Sequence, residues 1–92
     1  MNELLEMIEN TAVLLYQNKE QEGMAETAKL IRLFQNMIQD MTQVQLASGG
    51  NFALVMMKEL VENFERQDVL GIADCFMEKS VLFVQFMNET AQ

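Results

Sequence analysis

Asp74 and Glu78 stand one helical turn apart in the sequence, with Cys75 beside the first and Lys79 just after the second. Two carboxylates at that spacing are the minimum for loose cation binding or for acid–base work. Glu6, Glu9, Glu62 and Glu65 invite a comparison with the di-iron helical bundles, but such sites are built on Glu-x-x-His pairs facing inward. The chain has no histidine, which removes the commonest general base and the commonest metal ligand. Ser48 and Ser80 therefore have no imidazole to activate them. A single cysteine forms neither an intramolecular disulfide nor a thiolate zinc site. Gly49–Gly50 lacks the lysine and the preceding strand of a phosphate loop. The acidic pairs are expected on solvated faces, and Cys75 as a small packed hydrophobe with no dipole placed to acidify it. No catalytic residue, metal site or cofactor is expected.

The elements that carry these residues are helical by pattern. Proline is absent and only four glycines occur in 92 residues, so breaks are few. Leu4, Leu5, Ile8, Ala12 and Leu15 recur at three-to-four spacing and predict a helix over about 2–19. Asn18–Gly23 is a polar link. Leu30, Phe34, Met37, Met41 and Val44 carry the stripe of a second helix over about 24–46. Ala47–Asn51 (ASGGN) is the strongest punctuation, with Asn51 placed to cap a third helix over 52–66 whose inner face holds Ala53, Met57, Leu60 and Phe64. Asp68 caps the last helix, about 69–88. A strand over Val81–Met87 competes there on β-branched and aromatic content. The expectation is an all-α single domain over 1–92, a four-helix bundle of two antiparallel hairpins.

Charge narrows the partners. Fourteen acids against six bases give a net charge of −8, against nucleic acid and anionic membrane surfaces, both of which attract Lys and Arg. Much of the excess lies early, where Glu3, Glu6, Glu9, Glu20, Glu22 and Glu26 face only Lys19. A basic partner is permitted by this balance without being indicated by it. Asp74, Glu78 and Lys79 in mid-helix speak against a membrane span. The first residues carry no basic segment followed by an apolar one, so a reducing compartment, the cytoplasm, is expected.

The last helix has more apolar surface than a small bundle can cover. At 100° per residue Asp74, Glu78, Gln85 and Glu89 collapse into one narrow stripe, and almost every other position is apolar. Val69, Ile72, Ala73, Phe76, Phe83, Val84 and Met87 suffice to pack against three neighbours. Cys75, Leu82 and Phe86 remain, flanked by Lys79, and are expected to form a protein interface. Phe52 and Met56 are lesser candidates on the third helix. Eight methionines besides the first suit either core filling or an adaptable binding surface. Two roles follow: capture of an amphipathic helix from another protein, or self-association as a two-fold homodimer.

The stretch Gly49-Gly50-Asn51, Leu60-Val61-Glu62-Asn63 and Gln67-Asp68 resembles the C-terminal half of flagellin-type export chaperones. Asp68-Val69-Leu70-Gly71-Ile72-Ala73-Asp74 is similar to small bacterial helical proteins with an Asp-x-x-x-x-Ala-Asp pattern. The first resemblance implies a small acidic bundle that covers apolar helices of a client before export. Together the two resemblances run from Gly49 to Asp74; the chaperones' N-terminal segment is unmatched, and no functional residue carries over.

Overall fold

The apolar stripes close on one another as four rods. In the computed structural model, which describes residues 2–91, helix α1 spans Asn2–Tyr16, α2 Glu20–Gln39 and α3 Gln43–Glu65. The last rod is α4, Val69–Cys75, continued through a π-helical turn, Phe76–Ser80, into α5, Val81–Thr90. The stretch that competed as a strand is therefore helix. Each rod packs on its chain neighbours, and the last returns to α1, so the four enclose one core. Ile8, Leu15, Leu30, Phe34, Leu60, Ile72, Phe76 and Phe83 are fully buried there. Phe34 and Phe83 meet edge to face, with ring centroids 5.7 Å apart, the geometry the aromatic quadrupole favours.

Two links close by the same backbone device, the first tighter than the Asn18–Gly23 link expected and the second at the turn expected before Asp68. After α1 the Asn18 N–H donates to the Leu15 carbonyl and the Lys19 N–H to that of Leu14, at 3.1 and 2.9 Å. After α3 the Gln67 N–H reaches Phe64 and the Asp68 N–H reaches Asn63, at 3.1 and 2.9 Å. Both are Schellman closures, which require a left-handed residue at the turn. Asn18 and Gln67 supply it with φ of 61° and 56°, a conformation disfavoured for side chains other than glycine. Because the first link closes at Lys19, α2 starts at Glu20. Gly23 then lies inside it, where a Cβ would come within 2.6 Å of Leu15.

The expected break at Ala47–Asn51 is a correction. That segment runs through α3, and the chain turns earlier, at Asp40–Thr42. The signal is a capping box: the Gln45 N–H donates to Thr42 Oγ1 at 3.1 Å, while the Thr42 N–H donates to Gln45 Oε1 at 2.9 Å. So α2 ends at Gln39 instead of near 46, and α3 begins at Gln43 instead of 52. Val44, assigned to the second helix's stripe, is solvent-exposed on α3. Gly49 serves contact and not a turn, since a Cβ there would sit 2.6 Å from the Phe86 ring. The expected cap at Asp68 stands: its Oδ1 accepts the Gly71 N–H at 3.0 Å.

Two stability outcomes follow. Gln67→Gly relieves the left-handed strain and is expected to stabilise the fold by about 1 kcal/mol, seen as a rise of roughly 4–8 °C in thermal midpoint. Gly49→Ala is expected to lose stability beside Phe86 but to gain about 1 kcal/mol of helix propensity in a Phe86→Ala background. Urea melts of the four proteins in that cycle check the change of sign.

Candidate functional site

The antiparallel register of α3 on the last rod is fixed by a ladder of side-chain contacts. Gln45 Nε2 donates to Thr90 Oγ1 at 3.0 Å, and Thr90 passes the bond on to the Phe86 carbonyl at 2.8 Å. Farther along, the Ser80 hydroxyl approaches Met56 Sδ at 3.4 Å, and Lys79 Nζ meets Glu59 Oε1 at 3.2 Å. This register sets Phe52 level with residues 83–84.

The six residues expected at an interface separate along this seam. Cys75 and Met56 are fully buried, so their placement on an exposed face is corrected. The Cys75 thiol points at the Met56 carbonyl, 3.9 Å away, between α3 and α4. Phe86 is half-buried because its ring lies on Gly49. Lys79 is half-buried in its pair with Glu59. Leu82 and Phe52 do face solvent, at 54% and 38% exposure. Val55, one turn from Phe52 and 54% exposed, is a further apolar side chain in the open that the sequence reading does not single out, and it lines a groove with Gly71 and Asp74. Its flanks, Leu54 and Met56, lie outside and inside respectively, so the sequence offered no clean stripe that included it.

The physical cause of the split between Cys75 and Leu82 is the π-helical turn. A wide turn holds an extra residue, which rotates everything after it by roughly one residue's step, ~100°, relative to an unbroken α-helix. Cys75 precedes the turn and Leu82 follows it, so two side chains that share a face at strict α-helical period do not share one here. Ser80, inside the turn, is buried.

Electrostatics on this side is local. Burial pushes the Cys75 thiol far above its ordinary value, and the nearby Glu59 carboxylate adds to the effect, so the reactive thiolate is suppressed. The Glu59 hydrogen bond, reinforced by its charge, raises Lys79. Across the rod, the exposed Tyr16 hydroxyl donates to Asp74 Oδ1 at 2.6 Å and is raised, first by that bond. Asp74 and Glu78 are both exposed, as a solvated stripe requires. Among the described residues no three His, Cys, Asp or Glu side chains gather in a metal-binding group.

Inter-helix grooves also open to solvent, among them those between α2 and α3 and between α1 and α2. The α2/α3 groove, about 680 Å³, is lined by Ile38, Leu54, Met57 and Val61, with Lys58 and Glu62 on its rim. The α1/α2 groove has Met7 and Leu14 on its floor and carboxylates along its edge. No helix among the described residues is long and apolar enough to cross a membrane. No protein-family model, curated protein or solved structure matches the chain.

Tyr16 gives a direct check on the geometry, because it is the one tyrosine and there is no tryptophan. Phenolate absorbance should titrate above the ordinary 10.0 and move down toward it in Asp74→Ala. The raised folded-state pKa means the bond's small stabilisation is present below that ordinary value and lost as pH rises through the folded one. Cys75 should react with a thiol reagent only as fast as the fold opens, and denaturant should restore an ordinary rate.

Proposed function

We propose that this protein is a non-catalytic helix-binding module of the adaptor or export-chaperone kind, which captures an amphipathic helix of a partner protein on the α3/α5 edge. The observation that supports the reading is the exposure of Phe52 and Val55 on α3 and of Leu82 on α5, on rods already fastened by the Gln45–Thr90 and Lys79–Glu59 contacts. Large apolar side chains held out on a rigid helix pair lose little conformational entropy when a partner covers them. A partner helix would set its apolar residues at i, i+3, i+4 and i+7 against them. The all-helical architecture and the absence of histidine fit association better than catalysis. The resemblance of residues 49–68 to flagellin-type export chaperones points the same way. The cytoplasm is the compartment this reading assigns.

The test pairs wild type with Phe52→Glu/Leu82→Glu. Both positions are solvated, so the variant's melting curve should move little, within about 0.5 kcal/mol per site. Light scattering on a dilution series should give a monomer at low micromolar concentration. A neutral amphipathic Leu/Gln helical peptide should bind wild type and lose at least about tenfold in affinity for the variant. A wild-type dimer that the same substitutions convert to monomer assigns this edge to a homodimer instead. Peptide binding that the substitutions leave unchanged removes the edge from the function.

A further inference from the structure

We infer that the α1/α2 groove is a second docking site, and that its occupant is a basic amphipathic helix of another protein. Two adjoining depressions of about 480 and 330 Å³ run along this groove and share Glu3 and Met7. Met7, Leu14, Leu33 and Met37 give them an apolar floor. Glu3, Glu6 and Glu26 stand along the edge, and no lining residue is basic. Lys29 is exposed and lies 3.4 Å from Glu26, a surface pair that screening leaves weak. The fold thus gathers part of the early excess of glutamates beside an apolar floor instead of dispersing it.

Charge decides the occupant. Apolar side chains can be covered by any amphipathic helix, but acidic edges favour one that flanks its apolar stripe with Lys or Arg and repel one flanked by Asp or Glu. A second copy of this chain is disfavoured by the same rule, since it carries fourteen acids against six bases. Phosphate-bearing partners are repelled outright. From Glu3 to Leu14 the groove follows α1 for about 16 Å at 1.5 Å per residue, the length of three helical turns. Two methionines on the floor let it adjust to side chains of different shape. This site is separate from the α3/α5 edge and does not depend on it.

The probe is a fluorescent ~16-residue amphipathic helical peptide with a leucine stripe flanked by lysines, and a twin with every lysine replaced by glutamate. Titrated into the full chain at low salt, the lysine peptide should bind at least about tenfold more tightly than its twin, and its advantage should shrink as the Debye length falls from ~10 Å toward ~3 Å. Glu3→Lys/Glu6→Lys should weaken it by at least about tenfold, and Met7→Glu/Leu33→Glu should do so as well. Phe52→Glu/Leu82→Glu should leave it unchanged, which separates this site from the α3/α5 edge. Circular dichroism melts establish that each variant folds. Equal binding of the two peptides, or indifference to Glu3→Lys/Glu6→Lys in a folded protein, would overturn the proposal.

Discussion

A helix that is apolar around most of its circumference cannot stand at the side of a bundle without flanking cover, and the rod from Val69 to Thr90 is such a helix. Its inner side chains, Ile72, Phe76, Phe83 and Val84, are fully or almost fully buried, which requires α1 on one flank and α3 on the other. That double cover governs the rest. It demands close approach at Gly49, where the Phe86 ring leaves no room for a Cβ. It places the Cys75 thiol under α3. In the same rod Phe76, Ser80 and Val84, at i, i+4 and i+8, all lie inward. The hydroxyl so buried finds the Met56 sulfur, and a polar group in a core needs some such contact.

Stripes were legible in the sequence because they are set by periodicity, which averages over many residues. Ile8, Ala12 and Leu15, then Leu30 and Phe34, then Ala53, Met57 and Leu60 all lie inward as their spacing predicts. The polar row Asp74, Glu78, Gln85 and Glu89 lies outward. Ends were less legible because they rest on a few local bonds. A glycine pair outweighs Asp40-Met41-Thr42 as a break by composition alone. The capping box at Thr42 and Gln45 overrides it, and a helical glycine that faces a ring is indistinguishable in sequence from one that turns the chain. Asn18 and Gln67 were equally silent, since nothing in their types but a mild tolerance in asparagine announces a left-handed turn.

The interface residues failed where a wheel assumes an unbroken helix. Cys75 and Leu82 lie seven residues apart, nearly eclipsed at the α period, and one wide turn between them separates core from solvent. Met56 failed for another reason. It was taken for an edge residue beside Phe52, but α3 is flanked on both sides, so its buried arc is wider than one stripe and reaches Met56 as well as Met57. Methionine in this protein divides accordingly: Met41, Met56 and Met57 fill the interior, while Met7 and Met77 are exposed.

Apolar surface and charge are distributed differently over this bundle, and the difference matters for what it can bind. The α3/α5 edge exposes large side chains beside a compensated ion pair, so affinity there would come from area and shape. The α2/α3 groove is likewise balanced by Lys58 and Glu62. Along α1 and α2, Glu3, Glu6 and Glu26 line a groove with no basic residue in its lining. A rigid four-rod scaffold holds these faces at fixed angles, so two helices could be engaged at once without either site distorting the other. Linked ligands would then gain from effective concentration in addition to their separate contacts. The interior of this protein is filled by the stripes of its four rods. Its surface is where the sequence departs from what folding alone requires: folding needs the buried stripes, but it does not need Leu82, Phe52 or Met7 in the open.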